Sequence, residues 1–98
     1  GPVDEPSVAQ VVDGLNTQEI QSKLSQAGGR VQELLKQYPR ENSKLIDELY
    51  LTCYSRYPTS DERAASVAYL VRNAQNRQQA VEDIVWSMMN TVEYLFNH

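Results

Sequence analysis

What this sequence has little of narrows the field first. It holds one cysteine, Cys53, and one histidine, His98, in 98 residues. A lone thiol cannot close an intrachain disulfide, and without a C-x-x-C or C-x-x-C-H pair there is no dithiol redox motif and no covalent haem attachment. A closed structural zinc site takes four ligands, so these two residues would need partners from elsewhere. No apolar run approaches the roughly 20 residues that cross a bilayer as a helix. Positive charge is short as well, with 9 Lys+Arg against 13 Asp+Glu and a net charge of −4. Phosphate neutralisation needs clustered Lys and Arg, so this balance argues against a nucleic-acid binder. The Gly28-Gly29-Arg30 stretch lacks the Lys-Ser/Thr and the preceding strand of a phosphate loop. Alternating β-branched or aromatic runs between turn signals are missing too, which leaves no candidate strand.

What is present reads as a helical domain. Hydrophobic residues make up 41% of the chain and charged residues 22%, the balance of a folded domain. The length allows one modest core, so a cofactor cleft between two domains is not expected. Gly1-Pro2 reads as the remnant of a cleaved expression tag, leaving residues 3–98 as a single helical domain cut from a longer protein. Pro6 and Ser7 open a first helical pattern with Val8, Val11, Val12 and Leu15. Thr17 is the expected N-cap of a second helix, which carries Ile20 and Leu24 and ends at Gly28-Gly29 in a left-handed turn.

Residues 30–38 repeat the pattern with Val31, Leu34, Leu35 and Tyr38 on one face, and Pro39 stops them. Asn42 or Ser43 should cap the next helix, which runs to Arg56 or Tyr57 and buries Leu45, Ile46, Leu49, Tyr50 and Cys53. The sharpest local signal follows. Pro58 disfavours helix at the residue before it, and Thr59 with Glu62 has the spacing of a capping box. The helix from Ser60 carries Ala64, Val67, Ala68, Leu70 and Val71, and a polar break spans residues 73–77. The last helix places Val81, Ile84, Val85, Met88, Val92 and Leu95 at helical spacing, with Trp86 and Met89 widening the stripe.

Four groups of residues bear a family likeness: Glu48 to Leu51; Ser55 to Thr59 with Glu62; Asp83 to Trp86 with Asn90; and Glu93 to His98. Upstream, residues 5–10, Leu15-Asn16, residues 20–24 and 29–31 add to it. In this order the chain resembles the C-terminal domain of large planctomycete proteins of unknown function, which often carry a cytochrome-C-like domain upstream. Tyr54 and Tyr57 stand where that family usually has Leu and Pro. The resemblance implies an exported protein with a periplasm-like or envelope location. It implies no activity, and no haem-binding motif is carried over to any residue here.

Seven residues stand out as structural or interaction candidates: Arg56, Pro58, Asp83, Trp86, Asn90, Glu93 and His98. Arg56 is expected to cap carbonyls or pair with Asp83 or Glu93, its sharper alternative being an anchor for a ligand carboxylate or phosphate. Asp83 and Glu93 are ten residues apart on one helix, about 15 Å, too far for a cooperating pair of carboxylates. Trp86 is expected in the core, with a carbohydrate-stacking platform as the alternative. Asn90 should bond a loop backbone or a neighbouring helix. Asn97 and His98 would tie the tail to the bundle, and Cys53 would act as a small hydrophobe. The six tyrosines are expected half-buried, closing a small core, or else forming a contact surface around the Pro58 turn.

The fold expected is all-α, a small bundle or orthogonal array of about five short helices. The role expected is non-catalytic: a structural or protein-interaction module at the C-terminus of a larger exported protein, with no cofactor and no metal. Its partners would be the upstream domains of the same parent or another envelope protein. The alternative is an accessory part of an enzyme or carbohydrate-binding site completed by upstream domains.

Overall fold

The first described residue, Asn16, is already a helix cap. Its side chain accepts from the Glu19 amide at 2.8 Å, and Glu19 accepts from the Asn16 amide at 3.0 Å, a reciprocal capping box. Thr17 was the expected cap; Asn16 holds the role because the acid that closes the box lies three residues after it, at Glu19. The structure is a computed structural model that describes residues 16–96, with the side chains of 17, 20 and 92–96 excepted. The helical pattern expected over Pro6–Leu15 and the tail at Asn97 and His98 lie outside the described residues.

The described residues contain no strand and form five α-helices. They are α1 (Thr17–Gly29), α2 (Val31–Gln37), α3 (Asn42–Tyr54), α4 (Ser60–Arg72) and α5 (Arg77–Phe96), with a single 3₁₀ turn at Ala74–Asn76 before the last. The all-α bundle expected from the periodicity is what forms. α1 packs across α3 and α5, α4 packs on α3, and both α2 and α4 pack on α5. The core follows the apolar stripes. Leu24 and Ala27 come from α1, Val31 and Leu34 from α2, Leu70 from α4, and Ala80, Val81, Val85 and Met88 from α5. α3 contributes most, with Leu45, Ile46, Leu49, Tyr50, Cys53 and Tyr54 all buried.

Three details differ from the sequence reading. α1 ends at Gly29, as expected, but the left-handed residue expected there is absent. The left-handed conformation occurs instead at Ser55, with φ 58 and ψ 30, which ends α3 earlier than Arg56. Finally, neither Asn42 nor Ser43 caps α3; Glu41 sits at the cap with no side-chain bond. The Asn42 side-chain oxygen, Oδ1, accepts from Arg77 Nε and Nη2 at 3.2 and 3.0 Å, so it ties the start of α5 to the start of α3. A second arginine does the same between α3 and α4, with Arg63 donating to Asp47 Oδ1 at 3.0 and 2.8 Å. Each of these arginines spends two donors on one oxygen, so both ties link their helices by a doubled hydrogen bond.

Candidate functional site

The spacing of Tyr50 and Tyr54, one helical turn apart, puts both rings on one face of α3. Their centroids are 5.5 Å apart with the planes tilted by 58°. Because Ser55 turns left-handed directly after them, the chain reverses and lays Arg56 back over both rings, 5.6 Å from the Tyr50 centroid and 5.5 Å from that of Tyr54. The guanidinium is thereby held by cation–π attraction.

Its edge is held as firmly. Nη1 and Nη2 donate to the two carboxylate oxygens of Glu62 at 2.9 and 3.1 Å, and Nη1 also donates to the Tyr57 carbonyl at 2.9 Å. Arg56 was expected to cap carbonyls or to pair with Asp83 or Glu93. The partner is Glu62, because the buried Pro58 and the capping box set that carboxylate at the start of α4, facing the end of α3. The box is as expected, with Thr59 Oγ1 accepting from the Glu62 amide at 3.1 Å and Glu62 accepting from the Thr59 amide at 2.8 Å.

This cluster lines a groove of about 380 Å³ between α3, α4 and α5. Ala65, Ser66 and Tyr69 of α4 form one wall, and Ile84, Ser87, Met88 and Thr91 of α5 form the other. The α5 residues recur at i, i+3, i+4 and i+7, the face of a single helix. Beyond this wall the Tyr69 hydroxyl donates to Asp83 Oδ2 at 2.8 Å, while Gln79 donates to Oδ1 at 3.0 Å. Asp83 is therefore a cross-helix tie between α4 and α5.

The electrostatics of the groove move every shifted group away from neutral pH. Burial raises both Tyr50 and Tyr54, with Glu62 adding to the rise at each. The hydrogen bond to Glu62 raises Arg56, and the same bond, helped by the Thr59 amide, holds the Glu62 carboxyl below its ordinary value. Tyr69 is raised chiefly by its bond to Asp83, and Asp83 is lowered by Gln79 first and Tyr69 second. Tyrosines that keep their protons, a permanent cation and ionised carboxylates can hold a ligand by hydrogen bonds and stacking. None of these shifted groups is moved toward neutral pH, where a general acid or base works best.

Compared with family models, curated proteins and solved structures, the chain matches none. What it does is therefore read from its own surface, and that surface has a second feature. Trp86, expected in the core, is 63% exposed. The reason is angular. Val81, Val85 and Met88 define the inward side of α5, and Trp86 lies one residue, about 100°, past Val85. Asn90, expected to reach another element, stays on its own helix and donates to the Trp86 carbonyl at 3.0 Å. Tyr57 is also exposed, at 61%, on the turn before Pro58. The Glu93 side chain and His98 lie outside the described residues. Cys53 is fully buried in the core, as expected, and burial pushes its thiol up to about 12.

The residues that sequence reading missed are Glu62 as the partner of Arg56, Tyr50 as its platform, and Asp47, Asn42 and Tyr69 as cross-helix ties. Only the first left a signal, the Thr59–Glu62 spacing. The three ties pair across 14 to 35 residues, where no local pattern points to them, and Tyr50 meets Arg56 only through the left-handed turn at Ser55.

Proposed function

We propose that this chain is a non-catalytic protein-interaction module, the C-terminal domain of a larger exported planctomycete protein. The observation that supports a binding role is the indole of Trp86 standing largely in solvent on a helix whose apolar face is already satisfied by the core. A tryptophan is among the residues that contribute most when buried at an interface. The groove beside Arg56 supports the non-catalytic side of the reading, since its ionisable groups are paired with one another and shifted away from neutral pH. Parentage and envelope location rest on the family resemblance alone. The partners this reading names are the upstream domains of the same parent or another envelope protein.

The test is affinity capture from a planctomycete envelope extract, with the wild-type domain and Trp86→Ala as parallel baits and mass spectrometry as readout. The expected result is one partner recovered by the wild type and depleted with Trp86→Ala. Identical recovery by the two baits, or by an unrelated acidic helical protein, overturns the reading. Retention on a glycan array, lost in Trp86→Ala, would replace it with a carbohydrate module.

A further inference from the structure

We infer that the outer face of α5 around Trp86 is a docking surface for an arginine-bearing segment of a partner protein. The inference rests on the reading of the chain as an interaction module and adds the chemistry of what it takes.

Three residues build the face. Glu82, Trp86 and Asn90 recur every four positions, so they form one stripe along α5 with about 6 Å of rise between neighbours. All three are exposed. The Trp86 indole lies at the centre with an oxygen acceptor one turn to either side. Glu82 Oε2 accepts from Gln78 at 3.1 Å, which leaves Oε1 without a hydrogen-bond partner among the described residues. Asn90 uses its amide N–H on the Trp86 carbonyl, which leaves its Oδ1 likewise free to accept.

Charge decides the occupant. After Arg77 the sequence contains no Lys or Arg through residue 98, while Glu82, Asp83 and Glu93 are acidic. Arg77 itself is turned toward Asn42 on α3, and Asp83 is committed to Tyr69 and Gln79. The stripe thus offers an aromatic face, one carboxylate and one amide oxygen, with no cation of its own. A guanidinium fits this set better than an ammonium. It is planar and weakly hydrated, it stacks on indole, and its N–H groups fan outward in the ring plane to reach acceptors on both sides. An acidic or phosphorylated segment would meet like charge at Glu82. The chain already uses the same chemistry internally, where Arg56 lies over Tyr50 and Tyr54 and is forked onto Glu62.

The test titrates the domain in low-salt buffer with an acetylated, amidated glycine–arginine repeat peptide. Its citrulline counterpart keeps the shape and loses the charge. Binding is read by calorimetry and by Trp86 emission. The expected result is saturable binding of the arginine peptide that weakens with salt, and at least several-fold weaker binding of the citrulline peptide. Glu82→Gln and Trp86→Ala should each weaken the arginine peptide about 2- to 5-fold, with Trp86→Phe recovering part of the loss. Asp61→Asn, the same charge change on α4, should leave it unchanged, and circular dichroism should show all variants folded. Equal binding of the two peptides, no binding of either, or an equal loss with Asp61→Asn overturns the inference. If Trp86→Ala loses its envelope partner while the arginine peptide fails to bind, this inference falls and the interaction-module reading stands.

Discussion

Ser55 sits at φ 58, a region that costs an L-residue with a side chain roughly 1–2 kcal/mol because Cβ crowds the backbone carbonyl. It is tolerated because the reversal it makes delivers Arg56 onto the two tyrosine rings. Ser55→Gly should keep that geometry and relieve the strain. Part of the gain is returned as the greater freedom of glycine in the unfolded chain, for a net stabilisation of about 0.5–1 kcal/mol. A higher urea midpoint at unchanged slope would bear this out. Glu62 presents the opposite case, a side chain with two jobs. Its folded carboxyl is held below its ordinary 4.5, so its contribution is complete above about that pH and is lost as pH falls through the lowered value. Arg56 and Glu62 are 27% and 36% exposed, so solvent screening limits the pair to about 0.5–1 kcal/mol. Glu62→Gln keeps the capping box and removes the charge that pairs with Arg56 and favours the first turn of α4. It should lower the urea midpoint at pH 7, and the difference from the wild type should vanish in acid.

At the scale of the helix, α1 ends at Gly29, as the glycine pair predicts, but without the left-handed residue that makes glycine the usual stop. Both glycines are helical, and a Cβ added to either would meet nothing within 4 Å. Arg30 then ends α1 with its amide bonded to Gln26 and Ala27, and its own carbonyl accepts the first bond of α2 from Leu34 at 2.8 Å. The two helices are thus nearly continuous. Gly28→Ala should therefore stabilise the domain by about 0.5–1 kcal/mol, seen as a raised melting temperature, whereas a true left-handed site would make it destabilising. α5 carries the companion lesson. Its core stripe was legible from spacing, but Trp86 was assigned to that stripe by its hydrophobicity. Its angular position on the helix, one step beyond Val85, puts it outside.

For the molecule as a whole, one core joins all five helices, and Cys53 is its built-in reporter. The thiol is fully buried, and burial pushes it up to about 12, so at neutral pH it is protonated as well as shielded. A thiol reagent should therefore label Cys53 only through opening of the domain, at a rate that rises with urea in step with unfolding. Fast labelling in native buffer would mean that α3 opens locally. Leu49, also fully buried in α3, should cost about 2–5 kcal/mol as Leu49→Ala, and this variant should speed the labelling of Cys53 sharply.

The sequence by itself determined the helices and most of their inward faces. Leu45, Ile46 and Leu49 of α3, Val31 and Leu34 of α2, and the Thr59–Glu62 box all follow from residues three or four apart, which touch or share a face through local geometry alone. Tertiary structure decided what each polar group does. Arg56 met Glu62, Asn42 gave up its cap to Arg77, Asp83 joined Tyr69, and Trp86 was left in solvent. The physical reason is the same in each case. A side chain's partner depends on the azimuth and height at which two helices meet, and those are settled by packing of the whole core, at separations where sequence spacing carries no distance.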